Sequence, residues 1–243
     1  MTVIQAAIFD LGGTLLDFNP EGYAWLEWER IGLTHVYAFL SEQGYALDRD
    51  KFVAHFMDAL PHRWTLATLG RQNLTLGGLL QEACVAAGKA MPVQMIKAAI
   101  PRYIAPLDRR VVMYDDTLET IQALHARGLK IGLISNTMWP GDEHRQEMER
   151  FGILKYFDDT LFSSDVALWK PQPELYQLAL DRLNIPAERA FFVGDTPEHD
   201  LVGARAVEMK TVYKRNKSFK LNGIRPDAEI TRLAELLDLI ERW

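Results

Sequence analysis

Residues 3–14 read VIQAAIFDLGGT, and the reading of the fold starts from this stretch. Val3 to Phe9 is short and mostly apolar, as expected of a strand buried on both faces. It runs into Asp10 and then Gly12-Gly13, a pair that marks a tight loop. A buried strand so near the N-terminus can be central to a sheet, so no signal segment is expected to have been removed. On this reading the strand delivers one carboxylate, Asp10, to the edge of that sheet.

After Asp115 apolar runs alternate with segments of helical spacing. Helices are expected over Thr117–Arg127, closed by Gly128, and over Glu143–Phe151, Pro173–Leu183 and His199–Val207. Strands are expected over Leu129–Ile134, Thr160–Phe162, Ala190–Val193, Met209–Tyr213 and Ala228–Ile230, with a final amphipathic helix over Thr231–Ile240. Such alternation predicts βαβ units and a parallel sheet, which the N-terminal strand joins. Between them lie four stretches of helical spacing, Gly22–Leu40, Arg49–Leu60, Leu76–Ala87 and Val93–Ile104, with breaks at Gly44, Pro61, Gly70 and Pro92. The predicted class is α/β: a Rossmann-like parallel-sheet core from residues 1–17 and 111–243, carrying an inserted all-α domain over residues 18–110.

The composition narrows the function classes. Apolar residues make up 48% and charged residues 25%, the balance of a globular protein. A formal net charge of -6 disfavours a general nucleic-acid binder, and the basic stretch from Lys210 to Lys220 reads as a solvated loop. Cys84 is the only cysteine, so neither an intrachain disulfide nor a cysteine zinc site can form. No apolar run approaches the ~20 residues of a membrane span, and a cytoplasmic protein that binds no membrane is the default expectation.

In an open parallel sheet, ligands bind beyond the carboxyl ends of the strands. Here those ends carry Asp10, Ser135-Asn136 and Asp195, while a short strand is expected to continue through Ser163-Ser164-Asp165 towards Lys170. Carboxylates at an open position suit Mg²⁺ with phosphate oxygens, and Lys170 with the Ser135 hydroxyl would hold the remaining phosphoryl charge. Each residue also has a plainer reading: an Asp that caps a turn, a satisfied strand-end hydroxyl, a surface lysine, a simple Gly-Gly turn. All of these would have to hold together at one sheet edge, and that coincidence favours a site. No GxGxxG or Walker sequence points to a nucleotide fold.

Asp10-Leu11-Gly12-Gly13-Thr14, Ser135 after its apolar strand, Lys170-Pro171-Gln172-Pro173-Glu174, and Gly194-Asp195 with Asp200 resemble the four motifs of the haloacid dehalogenase superfamily. The resemblance covers nearly the whole chain, including a helical insertion where that family carries a cap. It implies that Asp10 attacks phosphorus to form an aspartyl-phosphate, that Ser135 and Asn136 bind substrate, and that Lys170 neutralises Asp10 and the transferring group. It further implies that Asp10, the Gly12 carbonyl and Asp195 hold Mg²⁺, with Asp200 supporting the metal and Thr14 bracing the nucleophile loop. The partner it implies is a small phosphorylated molecule, and the chain is read as monomer or homodimer alike.

One position departs from the family pattern. Its phosphatases usually carry a second aspartate two residues after the nucleophile, as general acid and base; this chain has Gly12. General acid–base catalysis is worth about 10²–10⁴-fold, so three readings compete. The first is a phosphatase for good leaving groups, or one that borrows a proton donor such as Asp17, Glu21 or His62. The second is a phosphonate hydrolase using a lysine of the insertion, Lys51, Lys89 or Lys97. The third is a non-catalytic binding protein. The family's dehalogenases lack the acidic fourth motif, whereas Asp195 and Asp200 are both present here. Hinges are expected near Asp17–Pro20 and Leu107–Val111. His62-Arg63-Trp64 is read either as a substrate mouth or, with Trp25 and Trp28, as the insertion's own core. Trp139-Pro140-Gly141 is read as crevice lining or as a loop packed on its own tryptophan.

Overall fold

The computed structural model describes residues 3–215 and 219–243, so part of the basic stretch from Lys210 to Lys220 lies outside the described residues. In chain order, β1 (Ala6–Phe9) and the two-residue β2 (Leu16–Asp17) precede four helices, α1 (Trp25–Glu42), α2 (Arg49–Thr68), α3 (Leu76–Ala86) and α4 (Val93–Asp108). There follow β3 (Val112–Met113), α5 (Thr117–Ala126), β4 (Lys130–Ser135), α6 (Gly141–Arg150), β5 (Asp159–Phe162), the one-turn α7 (Ser163–Val166) and α8 (Pro173–Leu183). The chain closes with β6 (Ala190–Gly194), α9 (Pro197–Ala206), β7 (Lys210–Lys214), β8 (Ala228–Ile230) and the short α10 (Leu236–Leu239). It divides into two compact units. The first is Met1–Asp17, Met113–Thr137 and Gly141–Trp243; the second is Phe18–Val112 with Met138–Pro140.

The α/β unit is built on a six-stranded parallel sheet in the order β5-β4-β1-β6-β7-β8. β1 lies between β4 and β6, with Ala6 opposite both Lys130 and Ala190. Its four residues and the five of β6 are fully buried, as their unbroken apolar sequences require. Ala6, Ile8, Ile134 and Phe192 pack with Leu175, Tyr176 and Ala179 of α8 in one core layer. The chain moves outward from β1 to β4 and β5, then returns to β6, β7 and β8 on the other side. That reversal is the switch point at which an open α/β sheet leaves a crevice.

In the helical unit α1 packs on α4 and α2 on α3. Asp48 caps α2 by accepting from the Lys51 amide at 3.1 Å, and Thr75 caps α3 by accepting from Gly78 at 3.2 Å. Gly32 of α1 lies against the Tyr103 ring of α4, where an added Cβ would come within 2.8 Å. Among the described residues no helix is long and apolar enough to cross a membrane.

Three details correct the expectations above. Pro61 does not end α2, which continues to Thr68, and α4 continues past Ile104 through Pro106 to Asp108. A helical proline loses one ladder bond and crowds the preceding turn, but α2 keeps burying side chains past it, Leu60 before and Ala67 after. The segment from Ser163 is helix α7 rather than strand: Ser163 Oγ accepts from the Thr137 amide (2.8 Å) and donates to its carbonyl (3.0 Å), and Ala167 ends the turn at φ 56°. The C-terminal stretch Thr231–Ile240 is broken into α10 and flanking 3-10 turns. There the Glu235 carboxylate collects the amides of Thr231 and Arg232.

Candidate active site

Asp10 follows β1 directly and is only 6% exposed. Lys170 Nζ donates to Asp10 Oδ1 at 2.5 Å, and the Thr14 hydroxyl donates to Oδ2 at 3.2 Å. Both oxygens are thereby fixed. Lys170 also donates to Asp200 Oδ1 at 2.7 Å, while the Thr196 amide donates to Asp200 Oδ2 at 2.8 Å. Asp195 ends the run from β6 and accepts from the Thr196 hydroxyl at 3.1 Å. Gly13, at φ +81°, is needed here: a Cβ on it would stand 2.0 Å from Asp195 Oδ2. Gly194 is needed likewise, since its Cβ would meet Asp200 Cγ at 2.3 Å.

Burial pushes the Asp10 carboxyl up to about 6, against the opposing pull of Lys170, and leaves it ionised at neutral pH. Burial draws Lys170 down, but the carboxylates of Asp10 and Asp200 outweigh it and hold the ammonium above its ordinary range. Asp10, Asp195 and Asp200 each offer an oxygen within 4.8 Å of the others, all buried. Three acidic side chains are thus gathered at one buried point of the sheet edge. That donor set is hard, oxygen-only and anionic, and it fits a divalent cation such as Mg²⁺.

Residues 4–208 match the profile of the haloacid dehalogenase-like hydrolases. The chain belongs to that family. The glyceraldehyde 3-phosphate phosphatase of Methanopyrus kandleri is 28% identical over 152 residues, 60% of this chain and 64% of that protein. The pyrophosphatase PpaX of Bacillus mycoides is 30% identical over 138 residues, 56% of this chain and 63% of that protein. The matches thus span just under two thirds of each relative. The crystal structure of a 2-haloacid dehalogenase from Pseudomonas syringae superposes over 99% of both chains with a TM-score of 0.74 at 23% identity, a likeness of fold.

In this haloacid dehalogenase-like hydrolase, Ser135 ends β4 and is buried, with no hydrogen bond to its hydroxyl among the described residues. Asn136 brackets the backbone of Lys170: its Nδ2 donates to the Lys170 carbonyl at 3.0 Å and its Oδ1 accepts from the Lys170 amide at 2.8 Å. Asn136 therefore positions the lysine, a part its sequence neighbourhood did not suggest. Behind the site, Tyr176 donates to the carbonyls of His199 (2.7 Å) and Asp200 (3.1 Å), anchoring the first turn of α9.

The candidates in the helical unit are held by neighbours of their own. Arg63 is held by Gln72 at 2.8 Å and by both oxygens of Glu82 at 2.9 Å. Trp64 packs edge-on against Trp25, Trp28 is buried, and Trp139 packs edge-on against Phe18. Lys51, Lys89 and Lys97 are all exposed, Lys51 paired with Asp48 at 3.4 Å. The residue that sequence reasoning passed over is Lys214. It sits in the basic stretch expected to be solvated, yet it is 5% exposed, and its Nζ donates to the Gly13 carbonyl at 3.0 Å. The one available signal was its place at the end of an apolar strand, the feature that marked Asp10 and Asp195.

Proposed function

We propose that this hydrolase is a Mg²⁺-dependent phosphatase for a small phosphorylated substrate, acting through an aspartyl-phosphate on Asp10. The observation that carries the reading is the buried Asp10–Lys170–Asp200 chain with Asp195 beside it. A carboxylate held at both oxygens is oriented before substrate arrives. Asp10 would attack phosphorus, the bond to the leaving oxygen would break, and water would then hydrolyse the aspartyl-phosphate, so that one displacement becomes two easier ones. Lys170 carries positive charge to the transferring group, and Ser135 presents an uncommitted hydroxyl to a phosphoryl oxygen. Asp10, Asp195 and the Gly12 carbonyl would hold the cation, whose charge would offset the carboxylate charge and that of the phosphoryl group. Lys170 and the Thr196 amide each hold one oxygen of Asp200, so Asp200 would support the metal site from the helix behind while anchoring Lys170.

The helical unit is proposed as the cap that selects substrate, and a cytoplasmic setting fits a chain whose one cysteine is buried and unpaired. The kinship with a glyceraldehyde 3-phosphate phosphatase and a pyrophosphatase supports a phosphoryl substrate. The exposed Lys51, Lys89 and Lys97 speak against a desolvated amine of the kind a phosphonate hydrolase requires.

The test is phosphate release from p-nitrophenyl phosphate with Mg²⁺, with EDTA, and with Asp10→Asn. The nitrophenolate leaves without a proton, so Gly12 does not mask activity. Turnover that depends on both Mg²⁺ and Asp10 is expected; rates equal to those of the variant would refute the phosphatase reading.

A further inference from the structure

A buried cation at the same sheet edge has no part in the chemistry above. Lys214 is the last residue of β7, and its ammonium lies 3.6 Å above the centroid of the Tyr114 ring. Gly194 pairs with Tyr213 across β6 and β7, so Lys214 comes alongside Asp195 as the two strands end. The carboxyl ends of β4, β1, β6 and β7 thus present Ser135, Asp10, Asp195 and Lys214 in order along one edge.

Burial draws the Lys214 ammonium below its ordinary range, and the charges of Asp195, Asp116, Asp10 and Asp17 pull the other way. A lysine so placed is costly, since a strand-end side chain can usually extend into water. An ammonium has three donors, and Gly13 O is the one acceptor Lys214 finds among the described residues. Gly13 is next to Gly12, the position at which the family's phosphatases carry their proton donor. Positive charge has therefore been placed beside the point where a proton donor is missing.

We propose that Lys214 receives the negative charge of the leaving group, and that the substrate is a phosphoanhydride whose leaving group is itself a phosphate. This rests on the phosphatase reading and narrows it. As the bond from Asp10 to phosphorus forms, the bridging P–O bond breaks and its electron pair stays on the bridging oxygen. The leaving phosphate departs with that charge, hydrogen-bonded to Lys214, which remains an ammonium. No proton is transferred, so none has to come from Gly12. An alkoxide would need that proton; a phosphate does not. The rival reading is that Lys214 only neutralises the aspartate-rich loop, in which case its removal should weaken every anionic ligand alike.

The experiment is calorimetric titration, in Mg²⁺, with methylenediphosphonate and with inorganic phosphate. The proteins are wild type, Lys214→Met, Lys214→Gln, which keeps a donor for Gly13 O without charge, and Lys214→Arg. Wild type is expected to prefer the diphosphonate. That preference should fall at least 10-fold in the Met and Gln variants and largely return in the Arg variant. An unchanged preference in the Met and Gln variants, or none in wild type, would overturn the proposal. Neither ligand is turned over, so the result is separate from the p-nitrophenyl phosphate assay: a failure here leaves Asp10-dependent hydrolysis standing.

Discussion

Gly13 and Gly128 share a backbone conformation and differ in their surroundings. Both have φ near +80°, but a Cβ at Gly13 overlaps the Asp195 carboxylate, whereas at Gly128 it meets nothing within 4 Å. Alanine at either should cost about 1–2 kcal/mol for the left-handed backbone. Only at Gly13 should it also push Asp195 away and suppress hydrolysis. Thermal melting of the two variants, alongside p-nitrophenyl phosphate turnover, separates these effects. Equal loss of activity in both would show that the glycine–carboxylate contact is unimportant. Asp10 and Asp195 were legible because a polar residue closing an apolar run is conspicuous, and Lys170 because it sits in a specific motif. Lys214 was not: Lys210, Arg215, Lys217 and Lys220 surround it in sequence, and a charge run hides a member that folds inward.

Among the elements, α1 and α4 show how tightly a helix pair is set by a single small residue. Gly32 lies flat on the Tyr103 ring, and Gly32→Ala would force the ring or the helices apart. Overpacking of this kind costs typically about 1–3 kcal/mol, so a clear fall in melting temperature is expected. A neutral effect would mean the pair has slack to spare. Apolar spacing made these helices readable in sequence, since burial decides where they lie. Their ends were less readable. Pro61 is a local veto on a helix, and packing that only the folded chain reveals overrides it. The turn at Ser163 was read as strand because its helical character comes from hydrogen bonds to Thr137, 26 residues earlier in the chain.

For the molecule as a whole, one buried acid links stability to pH. Glu29 accepts from the Tyr103 hydroxyl and, at 3.0 Å, from Trp25 Nε1. Burial nonetheless raises its carboxyl from an ordinary 4.5 to about 7. The folded form therefore binds this proton more tightly than the unfolded form. Its stabilising effect is complete below about 4.5 and is lost as pH rises through about 7. The cost accumulated by pH 8 is roughly 3 kcal/mol at most. Glu29→Gln should remove this slope, so the variant gains on wild type as pH rises from 5 to 8 in calorimetric melts. Parallel curves would show that Glu29 has the same affinity for its proton folded and unfolded.

The tripeptide Met138–Pro140 belongs to the helical unit although it follows the strand that bears Ser135. The Met138 carbonyl takes the Leu76 amide at 2.7 Å, and Trp139 packs against Phe18. The helical unit is therefore not one continuous cassette in the gene. A recombinant that exchanged only residues 18–112 with a relative would strand Leu76 and Phe18 against a foreign tripeptide. Chimeras that also carry residues 138–140 from the same parent should express and fold better, so the heritable module here has two separate pieces.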